Sequence, residues 1–307
     1  MNNPTSRRNR RRPRTVRRLR AALGDDGEVR DASTPDELAR ALDAFRKEDV
    51  DLLGVNGGDG TIHYVLTAAI RAWGGARLPR LLLLPGGAMN TVARGTGVHG
   101  GPERALREVL IRRRHGFPLR TVERDLLRVS ADRAPPSYGF IFGTGSIVSF
   151  LEAYYATGRP SPATAALLVG RGVASALVNG RFAGALTRRE RLRVSTDGDD
   201  WPDGSYLALA AASTPDVGFG FLAFARCLEQ PGFFHVVGVT GSLPQLALSV
   251  PRIRRGAPWR RRLAQDEVSR ALLLEGDAPR FTVDGDLYGA ERAISVETGP
   301  AVEIVVP

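Results

Sequence analysis

The residues best suited to chemistry form a glycine-rich hexapeptide, Asn56-Gly57-Gly58-Asp59-Gly60-Thr61. An apolar run, residues 50–55, precedes it, and a stretch with helical character, residues 61–73, follows. Glycines let the backbone approach an anion closely, and the start of a helix offers free N–H groups and a positive dipole end. Asp59 could hold a metal ion that bridges phosphates, and Thr61 could cap the helix or contact a phosphate oxygen. Taken alone, the hexapeptide fits a phosphate-binding turn and an ordinary tight strand-to-helix turn about equally well.

A second glycine loop, residues 85–90, follows the continuous apolar run Leu81-Leu82-Leu83-Leu84. Such a short run, bounded by prolines, is typical of a strand buried on both faces. Residues 34–114 alternate helix, strand, helix, strand and helix, which predicts a parallel α/β layer. Both glycine loops then lie at the carboxyl ends of strands, where sheets of this kind bind their ligands.

After about Thr121 the pattern changes to short strand-like segments with long connections, which predicts a second, β-rich domain. Cys227 is the only cysteine, so an internal disulfide and a cysteine metal cluster are excluded. Lys47 is the only lysine, and this excludes the lysine-containing P-loop of many nucleotide-binding proteins. Neither a secretory signal nor an apolar run long enough to span a membrane is found, so a reducing, cytoplasmic location is expected.

The net charge of +10 is unevenly distributed. Nine arginines fall within residues 7–20 and six within residues 252–262, the second group beside Trp259. Such patches attract anionic membranes, phosphate-rich ligands or nucleic acid, although a solvated basic face is an equally good interpretation. Nucleic acid is not expected as a partner, because no nucleic-acid module accompanies the charge.

Three motifs in this order resemble the diacylglycerol kinase catalytic-domain family, which includes bacterial lipid kinases and sphingosine kinases. They are Gly57-Gly58-Asp59-Gly60-Thr61, the segment 85–94, and Val283-Asp284-Gly285-Asp286. The opening Asn3-Pro4-Thr5-Ser6 is similar to the loop that begins these proteins, and Arg124-Asp125-Leu126 to a short acidic segment at their domain junction. The first motif also occurs in NAD kinases and phosphofructokinases, so the ordered set is the specific signal.

The resemblance implies an α/β fold: a parallel, phosphofructokinase-like nucleotide-binding domain over residues 1–122, and a β-rich lipid-substrate domain over residues 123–299. It also implies that residues 300–307 can rejoin the first domain. ATP and Mg²⁺ are the implied cofactors. The implied nucleotide-binding residues are Thr5, Ser6, Gly57, Gly58, Asp59, Gly60, Thr61, Gly87 and Asn90. Asp59 and Asp125 would bind the metal, Asp284 would be the general base, and Asp286 would assist it.

The implied activity is ATP-dependent transfer of the γ-phosphate to a hydroxyl of a diacylglycerol-like or sphingoid lipid. A peripheral contact with anionic membrane through the arginine-rich patches is expected, and the oligomeric state is left open. The sequence departs from the family pattern at Ala88 and Thr91, and the family's first strand is absent before Asn3. These departures keep open a catalytically weakened nucleotide- or lipid-binding relative. NAD kinase is a weaker alternative that rests on the first motif alone.

Overall fold

A computed structural model describes residues 1–307 except 88, 159–160, 178–188, 203 and 219. The chain divides into two compact units. The first comprises Met1–Arg124 together with Ala301–Pro307, and the second comprises Asp125–Pro300. Among the described residues, no helix has both the length and the apolar character needed to cross a membrane.

The first unit is a parallel sheet covered by helices. Its helices are α1 (Arg7–Arg11), α2 (Arg14–Leu23), α3 (Pro35–Lys47), α4 (Asp59–Trp73), α5 (Thr91–Gly95) and α6 (Pro102–Arg114). Strands β1 (Leu52–Gly57) and β2 (Arg80–Pro85) pair in parallel along their whole length. On the other side of β2, Leu81 pairs in parallel with Ile304, near the end of the chain. Leucines from β2, α2 and α6 form the core on one face of this sheet.

The first three residues extend the sheet beyond β1. The amine of Met1 donates to the Gly54 carbonyl at 2.8 Å, and the Asn3 N–H donates to the Asn56 carbonyl at 3.0 Å. On its other side, the Asn2 N–H donates to the Arg30 carbonyl at 2.8 Å. Asn2 therefore forms parallel β-bridges to both Asn56 and Asp31, and it covers part of the edge of β1.

The second unit is a β-sandwich with helices. Its elements are β3 (Thr121–Ala131, which begins in the first unit), β4 (Ser137–Gly139), β5 (Ile141–Thr144), α7 (Ser146–Ala156), α8 (Pro162–Leu177), β6 (Glu190–Thr196), β7 (Asp199–Asp200), β8 (Gly204–Tyr206), β9 (Ala208–Ala212), β10 (Phe234–Val239), α9 (Leu243–Arg254), β11 (Ala264–Ser269), β12 (Ala271–Glu275), β13 (Arg280–Val283), β14 (Asp286–Gly289) and β15 (Ala293–Val305).

One sheet of this unit is antiparallel throughout, in the order β11-β10-β9-β5-β13-β14. In the other sheet, the first part of β15 pairs antiparallel with β12, which pairs antiparallel with β6. Side chains from both sheets form one core that includes Phe142, Phe234, Trp201 and Phe281. Strand β13 lies between β5 and the edge strand β14 and contributes Phe281 and Val283 to this core, and Asp284 follows directly at its end.

Candidate functional site

The two predicted glycine loops touch each other backbone to backbone in the first unit. The Gly86 N–H donates to the Gly57 carbonyl at 2.7 Å. A Cβ on Gly87 would lie 2.4 Å from the Gly58 Cα, and one on Gly58 would lie 3.1 Å from the Gly87 Cα. Gly57 is equally restricted, because a Cβ there would lie 2.4 Å from the side chain of Thr61. Close approach, not an unusual φ, is therefore what requires glycine at these positions.

Asn90 closes the second loop on itself. Its side-chain oxygen accepts from the Gly87 N–H at 2.8 Å, and its own backbone lies in the left-handed region at φ 51°. Asparagine is one of the few residues other than glycine that adopts this conformation readily. The departure predicted at Ala88 concerns a residue outside the described part of the chain.

The side chain of Asp59 links the first glycine loop to α5, the helix that follows the second glycine loop. It is the first residue of α4, with Gly60 and Thr61 in the same turn. Its carboxylate accepts from the Val92 N–H at 3.0 Å, and so binds an N–H group at the start of α5. Burial raises the pKa of Asp59, although the N–H groups of Val92 and Thr91 and the charge of Arg94 act in the opposite direction. The surrounding protein thus leaves the Asp59 charge only partly compensated.

The N-terminal loop, residues 3–6, joins both glycine loops. The Asn3 side chain donates to Thr61 Oγ1 at 2.9 Å and accepts from the Thr5 hydroxyl at 2.7 Å. Ser6 Oγ donates to the Gly86 carbonyl at 3.2 Å. The structure therefore brings together all nine residues predicted to bind the nucleotide, on three segments that are far apart in the sequence.

A buried amide cluster behind these loops was missed by sequence reasoning. Asn9 Nδ2 donates to the Asn3 carbonyl at 2.8 Å and to Asn2 Oδ1 at 3.2 Å. Asn56 Nδ2 also donates to Asn2 Oδ1, at 2.7 Å, and each of the three side chains is at most 3% exposed. Asn9 was recognisable only as an uncharged polar residue within a run of arginines. Asn56 was recognisable only as an amide at the end of an apolar strand.

Asp284 holds two strand ends together in the second unit. It is 7% exposed and adopts φ 49°. Its carboxylate accepts from the Phe140 N–H at 3.1 Å and from the Ile141 N–H at 2.9 Å. Its own N–H donates to the Ile141 carbonyl at 2.9 Å. Asp286 begins β14, two residues further on, so the predicted catalytic pair flanks the β13–β14 turn.

Two other aspartates of this unit use the same arrangement at exposed turns. Asp132, at φ 46°, accepts from the N–H groups of residues 291–293. Asp197, at φ 48°, accepts from the Arg270 and Ala271 N–H groups, both at 2.9 Å. Asp284 differs from them in being buried. An anchoring role is therefore common to all three aspartates, and burial distinguishes the one predicted to be catalytic.

Asp125, predicted to bind metal, accepts from the Gly232 N–H at 2.8 Å within the second unit. In the part of the chain that the structure describes, no three His, Cys, Asp or Glu side chains cluster in a way that could hold a metal ion. Among the described residues of each unit, the carboxylates therefore do not form a preformed metal-binding site.

Comparison with known proteins gives a domain match over part of the chain and a fold for nearly all of it. Residues 1–121 match the family model described as the diacylglycerol kinase catalytic domain. A comparison with curated protein sequences finds no significant match.

Solved structures share the fold, among them the following three. The chain is similar to the crystal structure of a diacylglycerol kinase from Bacillus anthracis, at 14% identity and a TM-score of 0.65, covering 99% of this chain and 94% of that one. An NAD kinase from Archaeoglobus fulgidus in complex with ATP gives 14% identity and a TM-score of 0.50, covering 94% of this chain and 88% of that one. A yeast NADH kinase complexed with NADH gives the same two values and covers 96% and 79%.

These likenesses confirm the predicted α/β fold with a parallel sheet and a separate antiparallel, β-rich sheet. The resemblance inferred from the three motifs is also confirmed: residues 1–121 of this chain match a kinase domain, the diacylglycerol kinase catalytic domain.

Proposed function

We propose that this protein is an ATP-dependent lipid kinase. It would transfer the γ-phosphate to a hydroxyl of a diacylglycerol-like or sphingoid lipid. The observation that supports this most directly is the assembly of the N-terminal loop and both glycine loops into one cradle. Ser6 Oγ donates to the Gly86 carbonyl, and Gly58 and Gly87 touch without side chains between them. A cradle of backbone and hydroxyl groups without side-chain bulk is suited to polyphosphate.

In this proposal the nucleotide phosphates lie against the glycine loops. Gly57 to Thr61 and Gly87 approach the phosphates, Asn90 keeps the second loop closed, and Thr5 and Ser6 contribute hydroxyls from the N-terminal loop. Phosphoryl transfer depends mainly on positioning and on neutralising phosphate charge, and rigid loops supply the positioning.

The residues present are compatible with Mg²⁺ that enters together with the nucleotide. Mg²⁺ usually takes one or two carboxylates besides phosphate oxygens and water. Asp59 supplies one such carboxylate beside the loops, and its raised pKa reflects a charge that the protein compensates incompletely. Bound Mg²⁺ would neutralise charge on the phosphates. Asp125 is a candidate for the wider metal network by family resemblance, and its contact with Gly232 fixes its orientation.

Asp284 is the proposed general base, with Asp286 assisting it. A base must present an oriented carboxylate within about 2.6–3.2 Å of the hydroxyl proton it removes. The Phe140 and Ile141 N–H groups hold the Asp284 carboxylate in one orientation. Its burial, at 7% exposure, also limits its contact with bulk water.

The direct test is transfer of labelled γ-phosphate from ATP to extracted lipid, with mass spectrometry of the product. Asp284→Asn should reduce the chemical step by about 10²-fold or more. The matched control is Asp197→Asn, which disturbs the same kind of carboxylate-to-backbone anchor at an exposed turn. No transfer by the wild-type protein, or equal transfer by both variants at equal folded fraction, would refute the proposed mechanism.

Two alternatives give different results in the same experiment. A catalytically weakened relative, suggested by Thr91 in place of a family aspartate, binds ATP without turnover in calorimetry. An NAD kinase forms NADP from NAD and leaves the lipid unlabelled. The likeness to NAD kinases extends to the fold, at a TM-score of 0.50, and to the first glycine motif.

A further inference from the structure

The helices α8 and α9 of the second unit come from two parts of the chain without acidic residues. The protein has 33 aspartates and glutamates, and none of them lies in residues 153–189 or 230–265. These two stretches contain five and six arginines respectively. The two helices pack against each other, so the two acid-free stretches meet in space.

The same two helices carry the two most exposed large apolar side chains that the structure describes. Leu248 of α9 is 84% exposed and Leu167 of α8 is 72% exposed, with Val169 also exposed. Isolated exposed leucines are ordinary, but here each of two helices that pack against each other leaves a leucine largely exposed to water.

An arginine lies on the same side of α9 as its exposed leucine. Leu248 and Arg252 are four residues apart in α9, a spacing that places them on one side of the helix, and Arg255 directly follows the helix. All three are exposed. An arginine can keep its guanidinium at a polar boundary while its stem lies along apolar material.

Beyond α9, the Trp259 indole N–H donates to the Ala223 carbonyl at 2.9 Å. Trp259 therefore holds the following arginines, 260–262, to the fold and is half-buried, not extended towards solvent as a membrane anchor would be.

The other arginine cluster, in residues 7–20, has a different character. Arg18 pairs with Glu103 at 3.2 Å and Arg20 pairs with Asp31 at 2.8 Å, so part of its charge is neutralised within the protein. The one large apolar side chain of α2 that is buried, Leu19, points into the core of the first unit. Charge and exposed apolar area coincide on α8 and α9 but not on α1 and α2.

We infer that the α8–α9 face, defined by Leu167, Val169, Leu248, Arg252 and Arg255, docks on an anionic lipid surface. The leucines enter the apolar boundary of the bilayer and the arginines contact acidic headgroups. Charge complementarity selects this occupant, because the two stretches that form the face contribute arginines and no carboxylate, which suits a surface of fixed negative charge. The inference concerns binding and is independent of turnover, so it can succeed or fail separately from the proposed kinase activity.

The test is sedimentation of the full chain with phosphatidylcholine vesicles prepared with and without phosphatidylserine. Binding should require phosphatidylserine and should weaken as salt is added. Arg252→Gln with Arg255→Gln should lower the partition coefficient about fivefold per arginine, and Leu248→Ser about tenfold. Phe117→Ser is the matched control, since Phe117 is an exposed apolar residue of the first unit at 58% exposure, and it should leave binding unchanged.

Three results would overturn the inference. The first is equal binding to neutral and anionic vesicles. The second is equal binding by the wild-type chain and the Leu248→Ser chain. The third is a self-association, seen by analytical ultracentrifugation and lost in Leu248→Ser, which would make the α8–α9 face an interface between two copies of this chain. Because Leu248 is largely exposed, its replacement should leave the folded fraction unchanged, and circular dichroism checks this.

Discussion

Replacing Gly87 with alanine gives the sharpest test of the site geometry. The new Cβ would lie 2.4 Å from the Gly58 Cα and 3.0 Å from Asn90 Oδ1. Non-bonded carbon atoms are most stable at separations of about 3.5–4.0 Å, so the two loops would have to separate by roughly 1 Å. The obstructing atom belongs to the backbone, and no side-chain rotation can relieve the contact.

The expected cost appears in both stability and activity. Overpacking of this kind typically lowers the free energy of unfolding by about 1–3 kcal/mol. A misplacement of about 1 Å in a positioning element can cost about 10²-fold in rate. We therefore expect Gly87→Ala to remain folded at low temperature, with kcat/KM for ATP reduced by about 10²-fold.

Two further variants make the comparison quantitative. In Gly58→Ala the closest approach is 3.1 Å, so its loss of activity should be smaller than that of Gly87→Ala. Gly54→Ala, in the strand that leads to the first loop, would meet only Leu84 Cδ1 at 3.6 Å and should retain activity. Steady-state kinetics with ATP varied, together with denaturant unfolding, measures all three. A Gly87→Ala protein with the kinetics of Gly54→Ala would refute contact of the two loops as the basis of the site.

Three other perturbations have defined outcomes. Asn9→Ala leaves buried amide partners unpaired and should lower the free energy of unfolding by about 1–3 kcal/mol, measured by urea titration, with a raised KM for ATP. The pKa of Asp59 is raised in the folded protein, so as pH rises above 3.8 the Asp59 carboxyl group loses its proton in the unfolded chain before it does so in the folded one. Stability should therefore fall over that window in the wild-type protein and fall less in Asp59→Asn. Burial acts to raise the pKa of Asp266, but His235 and Arg226 outweigh burial and lower it below 3.8. Its contribution to stability should be present above pH 3.8, be lost as pH falls through the lowered value, and be absent from Asp266→Asn in thermal unfolding.

Much of the first unit could be predicted because its signals are local. The leucine run of β2 ends at a proline, and α3 begins with a complete capping box at Thr34 and Glu37. Strand β11 has no comparable local signal, because Gln265, Asp266 and Glu267 give it a polar centre. It is an edge strand with β10 as its neighbour, and its polar residues meet partners such as His235 that only the folded sheet supplies.

The amide cluster could not be predicted for a related reason. Asn9 acquires its function from Asn2 and Asn56, and no spacing in the sequence connects a helix residue with the first residues of the chain and the end of a strand. The glycine motifs indicated the residues that are proposed to approach the phosphates. What aligns the three loops with one another became evident only from the packing behind them.

Asp284 shows how structure adds meaning to a motif residue. A left-handed aspartate that accepts backbone N–H groups is a recurrent turn anchor in this unit, since Asp132 and Asp197 do the same without any predicted chemistry. A structural explanation is therefore sufficient for its conformation but not for its burial, which costs free energy that an exposed anchor avoids. The Cβ of any residue replacing Gly139 would lie 2.6 Å from Asp284 Oδ2, so the neighbouring strand is also shaped around this carboxylate. Of the three aspartates, only Asp284 is both buried and given space by a neighbouring glycine. Anchoring alone does not explain these two features, whereas the proposed role as general base does.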